Sequence, residues 1–280
     1  MIQDGGLPQT GCYTDRCERA RKSHSPRYVA SLALVFPAAK RYYLVDASPD
    51  LTRQMDLIDE DGFRENANLR GPFDGIFLTH AHMGHYLGLA LLGREGLGID
   101  RTPCYCSSAM KKMLSENAPW SLLVQEGRIN FPQIPMDSWI NVDGLFDVKM
   151  IPVPHRQEFS DTVGYIFRGS QKSILYIPDI DSWEKWDKSV AEVVAGVDVA
   201  LIDGSFYSSK EIPGRKIEDI PHPLIPHSMD LLEEVSKNNS KVMFTHLNNT
   251  NPALDINSPQ QLEIRKRGFE LAYEGLRITI

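Results

Sequence analysis

Short apolar runs that stop at a histidine or an aspartate recur along this chain. Residues 73–79 (FDGIFLT) run straight into His80, and 147–153 (DVKMIPV) end two residues before His155. Residues 172–178 (KSILYIP) end at Asp179, 197–202 (VDVALI) at Asp203, and 241–245 (KVMFT) at His246. Apolar runs of this length, bounded by turn formers, mark buried strands. Between them, capping residues predict helices: Asp50 before 51–60, Ser107 before 108–116, and Ser258 before 259–268, with Gly268 closing the last. Strands mixed with helices predict a layered α/β (α+β) domain. If the strands share a direction, the polar residues that end them converge where such sheets place their ligands.

At 280 residues the chain is expected to form a single domain over 1–280. Hydrophobic content of 42% with 24% charge excludes disordered, collagen-like and coiled-coil classes. The net charge of −7 argues against a nucleic-acid partner, which calls for a basic face. The longest apolar stretch, 29–39, is broken by Pro37 and is too short to cross a membrane. The first ten residues carry neither the basic nor the apolar region of a signal peptide, and four cysteines make no secreted disulfide framework. The expected location is therefore the cytoplasm, and the oligomeric state is left open.

The stretch Thr79-His80-Ala81-His82-Met83-Gly84-His85-Tyr86 narrows the chemistry. In a strand-to-helix turn, His80 and His82 can face one ion while His85, on the first helical turn, faces a second. Imidazole suits zinc, iron and manganese, and His155, Asp179 and His246 supply the remaining donors of two adjoining sites. One or two divalent ions are expected.

These residues resemble the metallo-β-lactamase superfamily and, within it, the PqqB family of pyrroloquinoline quinone (PQQ) biosynthesis. The resemblance is carried by GGLPQ (5–9) with Cys12 and Cys17, LVDASPD (44–50), THAHMGH (79–85), LIDGSF (201–206), HLNNTNP (246–252) and SPQ (258–260), and so covers essentially the whole chain. The histidine motif marks the superfamily, whereas LIDGSF with HLNNTNP points to PqqB. The resemblance implies a four-layer αββα sandwich with metal at one edge between two sheets. It also implies a missing first strand, since one should precede Asp4. The implied activity is metal-dependent: an oxidative step in PQQ biosynthesis, on a tyrosine-containing small-molecule or short-peptide substrate. The alternatives are hydrolysis of an ester, lactone or phosphodiester through a metal-activated water, and a non-catalytic carrier for PQQ or a precursor.

This chain departs from the superfamily motif His-x-His-x-Asp-His at Gly84. His80, His82 and His155 then form a first site bridged by Asp179, the pattern of hydrolytic zinc. His85, His246 and Asp179 form a second, two histidines and one carboxylate, the set of oxygen-activating non-haem iron. With one ligand and one charge fewer, the second site is expected to hold its ion weakly, and Gly84→Asp to raise its occupancy. Asp179 and His222 are the catalytic candidates, His222 as acid or base, and Asp203 is expected just behind the ligands, as a ligand itself, or as a strand-end turn residue. Cys12 and Cys17 resemble two members of a Cys-x-Cys-x-x-Cys structural zinc loop whose middle position is Thr14 here. Cys104 and Cys106 complete such a site only if their strand face meets that loop. Arg16, Arg19, Arg21 and Lys22 form either a solvated face or a lure for an anionic substrate. Gly93, Gly96 and Gly98 lack the lysine of a phosphate loop, and Ser205 sits in no nucleophile elbow. The diglycine Gly5-Gly6 is expected to bring residues 4–9 against the metal edge.

Overall fold

The computed structural model describes residues 1–59, 73–212, 221–238 and 240–280. Two sheets face each other. The first has strands β1 (Leu32–Phe36), β2 (Arg41–Val45), β3 (Gly75–Phe77), β4 (Thr102–Tyr105) and β5 (Ile129–Asn130), in that order. The second contains β6 (Trp139–Val142), β7 (Phe146–Pro152), β8 (Val163–Arg168), β9 (Ser173–Ile177), β10 (Val199–Asp203), β11 (Lys241–Thr245) and β12 (Glu270–Leu271), ordered β12-β11-β10-β9-β8-β7-β6. The helices are α1 (Asp15–Lys22), α2 (Leu51–Asp59), α3 (Met83–Tyr86), α4 (Ser108–Glu116), α5 (Trp120–Gln125), α6 (Val190–Ala195), α7 (Ile225–Asn238) and α8 (Pro259–Lys266).

Alternation along the strands builds the layers. Successive side chains point to opposite faces, so a strand apolar at every position needs cover on both. On β2, Tyr42 and Leu44 pack with Leu51 and Met55 of α2 and with Met110 and Leu114 of α4, while Tyr43 and Val45 face the other sheet. On β10, Val199 and Leu201 face inward, while Ala200 and Ile202 lie under Val194 of α6 and Met229 and Leu232 of α7. The result is helix, sheet, sheet, helix.

The inter-sheet layer is rich in aromatics. Phe77 stacks on Tyr105 with centroids 4.5 Å apart and meets Phe167 of the second sheet edge-on at 5.3 Å. Such pairs contribute roughly 0.5–1.5 kcal/mol each beyond burial. Tyr165 crosses the gap and donates to the carbonyl of Leu78 at 2.8 Å. That bond fixes the exit of β3 relative to the second sheet.

Ser107 and Ser258 cap α4 and α8, accepting from the amides of Met110 and Gln261. The expected helix 51–60 runs to Asp59, and Glu60 lies outside the described residues. The run 73–79 yields a strand of only three residues. Its first, Gly75, sits where a Cβ would come within 2.9 Å of the Tyr43 ring. Its far end is drawn off the ladder because the Thr79 amide donates to Asp46 Oδ1 at 2.8 Å.

Among the described residues β1 is an edge strand paired with β2 only. The chain start lies across the sandwich, Ile2 bridging both Val29 and Leu247. Among the described residues no helix is long and apolar enough to cross a membrane.

Candidate metal centre

Strand direction gathers the polar ends. β8 is antiparallel to both β7 and β9, while β9, β10 and β11 are mutually parallel in order. Thus β7, β9, β10 and β11 all run one way and deliver His155, Asp179, Asp203 and His246 to one end of the sheet. From the other sheet, β3 leads into buried His80. His82 then occupies the N-cap of α3, and His85 lies inside that short helix.

Three groups of donor atoms result, each with members within 4.8 Å of one another: His80, His82, His155 and Asp179; Asp4, His85 and His246; and Asp179, Asp203 and His222. Asp179 stands at their junction. Its Oδ2 lies 3.3 Å from His80 Nε2, 3.0 Å from His85 Nε2 and 3.3 Å from His246 Nε2. Its Oδ1 lies 3.9 Å from His155 Nε2 and 3.5 Å from His222 Nδ1.

A divalent ion suits these residues on the structure's own terms. Buried polar atoms are almost always hydrogen-bonded. Yet His80 Nε2, Asp179 Oδ1 and Asp4 Oδ1 are buried without a hydrogen-bond partner, and all three aim into the cluster. Imidazole nitrogens and carboxylate oxygens left bare at one point are the donor chemistry of zinc, iron or manganese.

A ring of residues behind the donors orients them, and most of these were not singled out in the sequence. Asp46, at the end of β2, lies 2.7 Å from His85 Nδ1 and accepts from the Thr79 hydroxyl. Asp181 is 3.0 Å from His155 Nδ1, Glu158 3.1 Å from His82 Nε2, and Ser205 3.2 Å from His246 Nδ1. Each partner fixes which ring nitrogen faces inward. Asp46 and His246 both adopt left-handed backbone, at φ 66° and 58°. That conformation costs on the order of 1–3 kcal/mol per residue and clusters at functional sites.

The electrostatics follow burial and neighbours. Burial pushes the His80 imidazole well below its usual pKa, and the charge of His85 adds to this. Burial also lowers His155. For His85 burial acts downward too, but Asp46 and Asp179 outweigh it and hold the ring well above the ordinary value. Asp179 and Asp4 are both held low: burial opposes this, and the surrounding histidines overcome it.

His222 is buried rather than a solvated loop residue. Its Nδ1 is 2.7 Å from Asp203 Oδ2 and its Nε2 3.4 Å from the Gln3 side-chain Nε2. Asp203 in turn accepts from the amides of Ile180 and Ser205, so its carboxylate is held in place beside Asp179 and His222. Burial would lower the His222 pKa, but Asp203 raises it. Beside Asp4, a recess of about 200 Å³ is lined by Gln3, Gly5, Gly6, Gln9, Asn248 and Asn249. The diglycine segment thus lines this recess, and its Asp4 reaches the donors.

Two alternatives that the sequence left open are narrowed. Cys12 and Cys17 gather no third histidine, cysteine or carboxylate donor among the described residues. Cys12 bonds instead with the Thr14 hydroxyl, and Cys17 accepts from Asn249. Cys104 and Cys106 belong to a different core, between the first sheet and its helices, and never meet that loop. In the basic cluster Arg16 and Arg19 pair with Asp255, and Arg21 with Glu18, which offsets part of its charge.

Residues 41–247 match the family model described as a beta-lactamase superfamily domain. The chain is 26% identical over 303 residues to the coenzyme PQQ synthesis protein B of Methylococcus capsulatus, covering 99% of this chain and 96% of that one. It is also 26% identical, with the same coverage, to the protein of that name from Methylobacterium radiotolerans. Among solved structures, the Zn(2+)-bound PqqB of Methylobacterium extorquens superposes with a TM-score of 0.83 at 21% identity, covering 100% of this chain and 97% of that one. A diphosphatase of the PhnP family superposes with a TM-score of 0.66, also at 21% identity, covering 98% of this chain and 92% of that one.

Proposed function

This chain belongs to the β-lactamase superfamily, with the metallo-β-lactamase fold and a PqqB-like sequence throughout, and we propose that it is a metal-dependent enzyme of PQQ synthesis. Its substrate is a small molecule or short peptide that enters by the recess beside Asp4. The observation that carries the reading is the placement of Asp179, a buried carboxylate whose oxygens address histidines of every donor group.

His80, His82, His155 and Asp179 would hold one ion, and His85, His246 and a carboxylate a second. A bound ion supplies Lewis acidity and lowers the pKa of its water, or, as iron, supplies redox chemistry. The protein's own contribution is orientation and proton handling. His222 keeps Nδ1 against Asp203 and turns Nε2 toward the Gln3 side of the recess. There it acts as the acid or base for the substrate.

The reaction we assign first is oxidation of a tyrosine-containing precursor with iron. It is supported by the group Asp4, His85 and His246, two histidines and one carboxylate. Hydrolysis of an ester, lactone or phosphodiester is the second reading, supported by the three-histidine group around Asp179. Metal analysis of anaerobically purified protein separates the two. It should be joined to oxygen uptake with iron and a tyrosine-containing peptide, and to lactone and phosphodiester turnover with zinc. Iron-dependent oxygen uptake supports the first reading, and brisk zinc-dependent hydrolysis without it replaces that reading by the second. Full metal with no turnover leaves the carrier role.

A further inference from the structure

Gly84 removes a carboxylate from the histidine motif, but the space its side chain would occupy is filled. A Cβ built on Gly84 would overlap Asp4 Oδ1 and come within 2.8 Å of Asp4 Cγ and 2.9 Å of Asp4 Cα. Asp4 thus presents its carboxyl group where a side chain at position 84 would begin. Its Oδ1 is buried without a hydrogen-bond partner, although the side chain as a whole is 40% exposed. That bare oxygen lies 3.6 Å from His85 Nε2 and 3.8 Å from His246 Nε2.

The segment bearing Asp4 is tied down on both sides. The Ile2 amide donates to Tyr28 O at 3.0 Å, the Gln3 amide to Leu247 O at 3.0 Å, and the Leu247 amide to Met1 O at 3.2 Å. The Gly6 amide then donates back to Gln3 O at 2.9 Å, and Gly6 takes φ 63°, which turns the chain immediately after Asp4. Because Leu247 follows His246 directly, the backbone pairing that places Asp4 also places one of the two histidines it faces.

We propose that Asp4 is the carboxylate ligand of the second metal site, supplied by the N-terminal segment into the volume that Gly84 leaves open, so that positions 4 and 84 form a complementary pair of which only one member can carry a carboxylate. The inference rests on the metal-binding reading given above. It reverses the sequence expectation that the second site is one ligand short and that Gly84→Asp improves it. In the native chain that substitution forces the new side chain against the Asp4 backbone as well as its carboxylate.

The test is metal stoichiometry and affinity, read by zinc titration of the full-length chain, for the native protein, D4G, G84D, the double variant D4G/G84D, and H82A as a first-site control. The native protein should hold about two ions and D4G about one, because three-donor shells fail when one donor is lost. G84D alone should also lose the second ion, through crowding, and D4G/G84D should regain it. Hydrogen exchange adds a readout that needs no variant. Zinc should slow exchange at the Gly5 and Gly6 amides of the native protein. A second ion retained unchanged in D4G overturns the inference, as does a double variant that folds but gains nothing over D4G. Exchange at Gly5 and Gly6 that ignores zinc, while zinc binds, overturns it too. Native protein that takes up no zinc, or H82A that loses none, overturns the metal reading itself, a separate outcome.

Discussion

His85 Nδ1 lies 2.7 Å from Asp46 Oδ2, with both side chains fully buried, and this contact joins the end of β2 to α3. The amide of Ala47, next to Asp46, donates to the carbonyl of His85 at 2.8 Å, so backbone and side chain are clamped together. Asp46→Ala should weaken binding of the ion served by His85 about 10–100-fold, the usual cost of losing a carboxylate behind a ligating histidine. It should also cost about 3–5 kcal/mol of stability, since it strands a buried charged ring. Zinc titration and urea denaturation measure the two effects, and unchanged affinity would remove His85 from the ligand set.

Metal uptake should release protons. His80 and His155 are pushed down by burial and are neutral at pH 7, ready to donate lone pairs. His85 is held well above its usual pKa by Asp46 and Asp179 despite burial, which favours the doubly protonated ring in the metal-free protein. An ion at Nε2 must displace that proton. Binding at neutral pH should therefore release about one proton through His85, and affinity should rise with pH until the metal-free ring loses the proton unaided. Calorimetric titrations in two buffers of different ionisation enthalpy check this. Identical apparent enthalpies would contradict it.

Loaded protein should unfold later than stripped protein. At a free ion concentration 100 times Kd, the native state gains about 2.7 kcal/mol per site. A chelator should lower the melting temperature of native protein, and H82A should respond less because its first site is already weakened. An equal response in the two proteins would mean that His82 holds no ion, which its 13% exposed side chain and its contact with His155 at 3.2 Å make testable.

His222→Ala should separate proton transfer from metal binding. The ring belongs to the group of Asp179 and Asp203 and not to the three-histidine set. The variant should keep its metal content and lose about 10²–10⁴-fold in turnover, the range of a positioned acid or base. It should also flatten one limb of the pH–rate profile. Lost metal with an unaltered profile would reassign His222 as a ligand.

Five of the strands, β3, β7, β9, β10 and β11, and the polar residues that follow them could be read directly, because a strand buried on both faces is a continuous apolar run and its end is marked by a polar residue. Asp179, Asp203 and His246 were visible for that reason, as was the turn bearing His80, His82 and His85. Asp46 ends the run RYYLV in the same way, and the identical signal pointed to it without being taken up. The caps of α4 and α8 were equally local, a serine whose hydroxyl serves an amide three residues on.

What the tertiary structure alone decided depends on approach between distant segments. Nothing near Cys12 and Cys17 in sequence shows that β4 carries Cys104 and Cys106 into another layer. Nor could Arg16 and Arg19 be seen to pair with Asp255. Asp181, Glu158 and Ser205 reach their histidines only after the loops around them fold over the sheet end. Gly84 shows the limit most sharply. The sequence determined that this position lacks a side chain. Whether that leaves a gap or a place for another residue was decided by the pairing of residues 1–3 with Tyr28 and Leu247, which brings Asp4 across the molecule to the one volume a glycine keeps free.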